Sequence, residues 1–571
     1  MTANHSSNTD LLFEHFSTLA TAPDGIARLR ELILQLAVQG KLGTQDPGDE
    51  TASVLLKRIE KERIASEGKN KKEKSLDPVK DSDVGFQIPD TWVLTRLGNI
   101  AQYNAETKTS ANEISDDAWV FDLEDIEKDT SRILQKVRFK DRRSLSTKSR
   151  FRKGDILYGK LRPYLNKVVV ADEDGYCTTE IVPIRPYGKI FPQFLMYALK
   201  TPDFLSYVNS KTYGIKMPRL GTVDALNTII PLPPLAEQHR IVAKVDRLMA
   251  LCDELEARQQ QERAGCLKLG TASLAGLQNA ESPEEFEAQW AQVCDAFDLI
   301  LDCPENVAVL RQTVLQLAVQ GRLVRQEPVD EPVGKLVERI RNEKERLVKE
   351  GKIKREKPLD PLDRTTISFK IPESWSYKYL NDICELVVDP DHNMPKAVET
   401  GVKFISSKDL NDEGIINFSR NIKLISEEDY SRLAKKFQPK RGDILFARIG
   451  ARIGKPCIVD SDERFMISYS CCVIRPLFVD RKYVNYFLKE ASFLAIAYQK
   501  TVGVGVPDLG MKMIKQFVVP LPPLAEQHRI VAKVDALMAL CDALESRLKE
   551  RAGVQSRFAD SIVKMVGGEN A

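Results

Sequence analysis

A chain of 571 residues, 43% hydrophobic and 29% charged, has an ordinary globular composition and the length of several domains. A formal charge of +2 excludes a global basic field, although an average this near zero can hide local patches. No run of about 18 apolar residues could span a membrane, and the first ten residues lack a signal peptide's basic and apolar regions, so a cytoplasmic location is expected.

The chain opens on a helical arm, residues 1–85, in which Ile26, Leu29, Ile33 and Leu36 follow helical spacing and Gly40 suits a C-cap. A second, highly charged helix is predicted from about Ala52 to Glu67, followed by a Lys-rich linker at 69–74. A globular domain, 86–230, begins at Ile88-Pro-Asp-Thr-Trp92 and holds short β-rich runs such as Lys153–Tyr158, Lys167–Ala171 and Thr178–Ile184. Helical stretches such as Phe191–Leu199 follow, so the class is α+β.

Pro231-Leu-Pro-Pro-Leu-Ala-Glu-Gln-His239 then opens a long helix whose prolines suit a helix start. Its apolar seam is Ile241, Val245, Leu248, Cys252 and Leu255.

From here the chain repeats itself. Leu34–Leu42 returns as Leu315–Leu323, Ile88–Trp92 as Ile371–Trp375, and Gly154-Asp-Ile-Leu157 as Gly442-Asp-Ile-Leu445. The long helix returns at 520–571 with seam Ile530, Val534, Leu537, Cys541 and Leu544. Residues 231–368 are therefore the central helix and a second arm with its own Lys-rich connector (Lys352–Lys357), and 369–519 are a second globular domain. Two matching seams suggest that the long helices pack against each other. Because the last helix pairs by repetition with the first arm, the two chain ends are predicted to meet, closing a pseudo-twofold ring. The arms and long helices nearly match, whereas the globular domains share only punctuating motifs: two equal scaffolds carry two different surfaces.

Familiar catalytic signatures do not occur. Gly450-Ala-Arg-Ile-Gly-Lys455 is one residue short of a phosphate-binding loop and runs into Pro456. His239 and His528, beside Glu237 and Glu526, have no nucleophile and read as packing or partner residues. Ten scattered cysteines without a Cys-x-x-Cys pair predict buried thiols and no zinc site.

Local basicity is more informative. Residues 136–153 hold nine Lys or Arg against Asp141 alone, among them Arg142, Arg143 and Lys148, and Lys160, Arg162 and Lys167 follow. The second domain offers Lys436, Arg448, Arg452 and Lys455 in the corresponding place. Such side chains supply phosphate contacts, and Arg also reads guanine edges. A Gly- and Pro-marked segment in each domain, Lys211–Gly221 with Lys216 and Arg219, and Lys500–Gly510, suits either close backbone approach to a ligand or a plain connector.

The doubled Pro-Leu-Pro-Pro-Leu-Ala-Glu-Gln-His-Arg-Ile-Val, the doubled Leu-Gln-Leu-Ala-Val-Gln-Gly and Gly154–Pro163 make the whole chain resemble the specificity subunit of a type I restriction–modification enzyme. The resemblance implies two target recognition domains, each reading half of a bipartite asymmetric DNA sequence, separated by a pair of long antiparallel helices. It implies two modification subunits docked on those helices and restriction subunits beyond them. S-adenosylmethionine, ATP and Mg would belong to those partners, this chain binding no cofactor and holding no catalytic centre. Two other readings stay open: a coiled-coil scaffold with two protein-binding heads, and a standalone methyltransferase or nuclease.

Overall fold

The structure, a computed structural model, describes residues 16–67, 76, 78–80, 83–105, 108–214, 216–357, 359, 361–362, 369–411, 414–418, 422–450, 452–499 and 507–567. The first ten residues, the first Lys-rich linker (69–74) and 500–506 of the second Gly-marked segment, all singled out above, lie outside the described residues. The chain forms two compact units, residues 1–261 with 550–571, and residues 262–549. The division falls inside each long helix, Leu235–Asn279 and Leu524–Gly567. At 45 and 44 residues both helices outrun the ~30 residues that their apolar seams suggest.

In unit 1 the arm helix Gly25–Val38 buries Ile26, Leu29 and Leu32 in one cluster with Cys252, Ala559, Ile562 and Val566. Arg28 donates to Ser556 and pairs with Asp560 at 3.1 Å, so the end of the last helix lies on the first arm. The chain ends therefore meet, as the unit order predicts. Gly40 ends the arm helix at φ +69°, with Lys41 N–H donating to the Leu36 carbonyl. A Cβ at Gly40 would stand 2.4 Å from Pro89, so the glycine of the first repeated motif is required by the proline of the second.

The strands of unit 1 are β1 (Val93–Arg96), β2 (Ala101–Tyr103), β3 (Lys108–Thr109), β4 (Trp119–Phe121), β5 (Val137–Arg138), β6 (Lys148–Phe151), β7 (Ile156–Gly159), β8 (Val168–Val170), β9 (Gly175–Cys177), β10 (Ile181–Pro186) and β11 (Ile229–Leu232). β1 pairs with β11, Val93 opposite Leu232, which ties the domain shut where it leaves and rejoins the helices. Antiparallel β2-β10-β7-β8 forms one sheet, and β3-β6-β9-β4-β5, with β4 and β9 parallel, forms the second.

Unit 2 repeats this plan with β12 (Ser376–Tyr379), β13 (Cys384–Val388), β14 (Val402–Ile405), β15 (Leu424–Ile425), β16 (Ile444–Ala447), β17 (Pro456–Ile458), β18 (Phe465–Ile467), β19 (Cys471–Pro476) and β20 (Val518–Leu521). β12 pairs with β20, and β13-β19-β16-β17 reproduces the first sheet. The second sheet has three strands, β15-β14-β18, and a helix, Glu427–Ala434, precedes Gly442 where unit 1 has β6 before Gly154. The domains thus share a core sheet and differ at the other. The class is α+β, as the sequence predicts.

In both units Gly-Asp-Ile-Leu turns the chain into a core-sheet strand. Gly154 and Gly442 sit at φ +90° and +93°, and the buried Asp155 and Asp443 accept paired bonds from Arg185 and Arg475 at 2.7–2.8 Å. The ten cysteines are free thiols, eight of them buried. Among the described residues no helix is long and apolar enough to cross a membrane.

Candidate nucleic-acid interface

The start of each long helix is a junction on which the repeated motifs converge. Glu237, fully buried, accepts from Trp92 Nε1 at 2.8 Å and Thr44 Oγ1 at 3.0 Å. Gln238 accepts from Phe191 N–H and donates to the Pro233 carbonyl, while Arg240 bonds Asp49 and the Thr44 carbonyl. In unit 2 Glu526 accepts from Gln326 at 2.9 Å, and burial raises its carboxyl above the ordinary range. Gln527 bonds Asp480 N–H and the Pro522 carbonyl, and Arg529 pairs with Asp330 at 2.6 Å. Glu-Gln-His-Arg is therefore a connector between arm, domain and helix. His239 packs tilted against Phe191, ring centroids 4.1 Å apart, and His528 lies 3.7 Å from Asp480.

The seam of the first long helix packs on the arm and domain along its start and also meets the other long helix further along. Ile241, Val245 and Leu248 pack on Leu34, Ala37, Trp92 and Phe194 of the arm and domain, and Cys252 and Leu255 on Leu19, Leu29, Ala559 and Ile562. Ile530, Val534 and Leu537 pack on Val314, Ala318, Trp375 and Tyr483. Cys541 is buried near Arg311, which pairs with Asp542, and Leu544 is half-buried. Each arm helix fills most of its seam, because it offers apolar residues at the same 3–4 spacing. Six of the ten seam residues are buried, and Leu248, Leu255, Leu537 and Leu544 are half-buried.

The candidate interface is built from two segments. After β7 the chain runs through Lys160-Leu-Arg-Pro-Tyr164, and this loop is stitched to the Gly- and Pro-marked segment. Leu161 bridges Arg219, Arg162 N–H donates to the Pro218 carbonyl, and Leu220 N–H donates to the Lys160 carbonyl. In unit 2 the loop after β16 makes the same junction. Ile449 bridges Asp508, Gly450 N–H donates to the Pro507 carbonyl, and Leu509 N–H donates to the Arg448 carbonyl. In each unit the two segments are therefore joined by backbone bonds.

Side chains on this common frame differ. Arg162 and Asn166 hold left-handed backbone at φ +50°, a conformation that costs a non-glycine residue roughly 1–2 kcal/mol. Their counterparts are Gly450 and Gly454, at φ +94° and +81°. Arg162 and Lys216 are exposed and in no ion pair among the described residues, flanked by exposed Tyr164 and Tyr213. Arg219 is held by Glu180 through bonds of 2.9 and 3.0 Å, which keep the Glu180 carboxyl below the usual range. In unit 2 the charge at this position is reversed and its partner differs: Asp508, in the place of Arg219, pairs with Arg448, in the place of Lys160, at 2.9 Å.

Several sequence candidates are corrected by this geometry. Arg448 is 4% exposed, bonded also to Asp389 and the carbonyls of Tyr469 and Leu509, and so braces the loop from inside. Lys148, 3% exposed, donates to Ser144 and Ser146, and burial lowers its pKa. Arg142 pairs with buried Asp125 and with Glu124, Arg143 with Asp116, and Lys167 donates to the Leu123 carbonyl. Much of the basic run 136–153 is compensated in the same way, Lys136 by Asp172, Arg138 by Glu173 and Lys140 by Asp117. Lys436 is exposed with Asp389 3.7 Å away, Arg452 donates to the Leu410 carbonyl at 2.5 Å, and Lys455 is half-buried. Sequence reasoning missed the acids Glu180, Asp389 and Asp508, and the stacking of His392 on Tyr469 at 4.9 Å, because nothing in their spacing marks them.

Two like frames with unlike charged loops define a two-headed recognition protein. The family described as "Type I restriction modification DNA specificity domain" matches residues 89–263 and 372–552. The chain is 32% identical over 560 residues to the Escherichia coli type I restriction enzyme EcoAI specificity subunit, covering 94% of this chain and 93% of that one. It is 30% identical to the E. coli EcoEI specificity subunit, with the same coverage. A solved chain from work described as "Structural basis underlying complex assembly and conformational transition of the type I R-M system" superposes at a TM-score of 0.51 and 20% identity, covering 84% of this chain and 99% of that one. The chain belongs to the type I restriction–modification DNA specificity family.

Proposed function

We propose that this specificity subunit reads double-stranded DNA, each recognition domain taking one half of a bipartite asymmetric target. One observation carries the reading: the stitched loop pair recurs at the same place in both units but presents Lys160, Arg162 and Arg219 in one, and Arg448, Gly450 and Asp508 in the other. Equal frames with unequal side chains suit a ligand whose two halves differ. Arg162, Lys216, Arg143, Lys160 and Arg219 in unit 1, with Lys436, Arg452 and Lys455 in unit 2, are the side chains proposed to meet DNA. Lys148, Arg142, Lys167 and Arg448 are proposed to shape the loops behind them.

The near-identical long helices support two identical partners, two modification subunits. Leu251 and Leu540, equivalent and exposed, are the docking residues proposed in place of the largely covered seam. S-adenosylmethionine-dependent adenine methylation, and ATP- and Mg-dependent cleavage by restriction subunits, would then reside in those partners, in the cytoplasm. No observation favours the scaffold or enzyme readings.

Exchanging residues 93–230 for those of a relative, followed by selection from random duplex pools at fixed salt, tests the reading. One half of the enriched sequence is expected to change and the other to persist. Enrichment of no sequence, or change in both halves, would refute it.

A further inference from the structure

The Lys-rich connector of unit 2 is not a free linker. Glu356 pairs with Lys515 and accepts from Asn381 at 2.7 Å, and Tyr379 donates to the Pro361 carbonyl, so the connector is tied to the recognition domain at Glu356 and Pro361. Between this connector, the second arm helix Val333–Lys349 and β13 lies a groove of about 1280 Å³. Twelve basic and six acidic side chains line it, a net +6 in a chain whose whole charge is +2. Small-molecule pockets are typically about 300–1,000 Å³ and mostly apolar, so size and charge together favour a polyanion. Lys349, Lys354, Arg355, Lys357, Lys378 and Lys435 line it without an ion pair among the described residues.

The groove adjoins the stitched loop of unit 2. Asp389 lies 3.1 Å from Arg448 of the reading loop and 3.7 Å from Lys436 of the groove, so one carboxylate borders both.

We propose that this groove is a track for the DNA phosphate backbone beside the bases that unit 2 reads. The proposal rests on the DNA reading above and adds to it a sequence-independent contact made by the arm. The groove cations neutralise phosphates and release counterions, anchoring the duplex without selecting bases.

The test uses the full chain assembled with its modification subunits and a duplex bearing the selected target with long flanks, titrated across a salt series. The variant K349Q/K354Q/R355Q/K357Q alters exposed side chains, and an unchanged unfolding midpoint checks its fold. The slope of log affinity against log salt is expected to become shallower by about 0.9 for each phosphate no longer neutralised, hence by up to about 3.6. Target and non-target duplexes should weaken equally, with the enriched sequence unchanged. K378Q/K435Q, on the opposite wall, should shift the slope in the same direction.

A wild-type slope in both variants would overturn the groove proposal alone. Loss of modification-subunit assembly at a wild-type slope would also overturn it, assigning the groove to a protein. Failure of the wild-type complex to bind any duplex would be distinct, removing the DNA reading and this proposal together.

Discussion

Arg162 shows how one side chain distinguishes the two heads. Its backbone occupies the left-handed region that the equivalent Gly450 reaches without steric cost. Strain at an exposed, uncompensated cation is the pattern expected where function overrides local preference. Arg162→Gly should therefore leave stability unchanged or raise it by up to about 1 kcal/mol, while discrimination at one half-site falls by about 1–3 kcal/mol if Arg162 makes a bidentate base contact. Urea unfolding and competition binding measure the two effects, and reduced stability with unchanged discrimination would contradict this account. The sequence points to Arg162 through its basic neighbourhood, but the same criterion selects Lys148 and Arg448, which are interior. Spacing along the chain cannot reveal that Asp172, Glu173 and Asp117 lie across the fold from Lys136, Arg138 and Lys140, because those pairs close only when the sheet forms.

At the scale of elements, the repeated motifs are solutions to the same joint. The arm helix must stop at Gly321, φ +73°, and there Pro372 fills the space a Cβ would need, 2.5 Å away. Gly321→Ala should cost at least about 2 kcal/mol, the left-handed penalty plus the clash. Gly334, inside the helix Val333–Lys349 with nothing near its Cβ position, should be neutral or slightly stabilising as alanine. Urea midpoints at constant m-value separate the two, and equal midpoints would show that Pro372 yields. The seam is a further lesson at this scale. Its heptad spacing specifies an apolar stripe correctly, but a stripe does not name its partner, and here the arm helix covers much of it while the other long helix joins at Cys252 and Leu255.

For the whole molecule, the meeting of the chain ends has a direct consequence. Residues 550–567 pack on the arm helix through Ala559, Ile562 and Val566, so the fold of unit 1 needs both ends of the chain. A circular permutant opened beside exposed Glu281 and joined across the original ends should retain the unfolding profile and DNA selection of the parent. Truncation after residue 549 should instead destabilise unit 1, since burial of Ile562 and Val566 is worth several kcal/mol together, at roughly 1.5–3 kcal/mol for each large side chain. Limited proteolysis of the two proteins distinguishes these outcomes. A permutant that loses unit 1, or a truncation that keeps it, would refute the account.

The repeat, the α+β class, the long helices, the joint motifs and the family were determined by the sequence alone, because they rest on periodicity, punctuation and near-identity, all local properties of the chain. Which cations face solvent, what covers the helix seam and that the Lys-rich connector is tied to the recognition domain were decided only by the tertiary structure. Those properties depend on groups far apart in sequence, such as Asp389 with Arg448 and Glu356 with Lys515, whose pairing has no signature until the backbone brings them together.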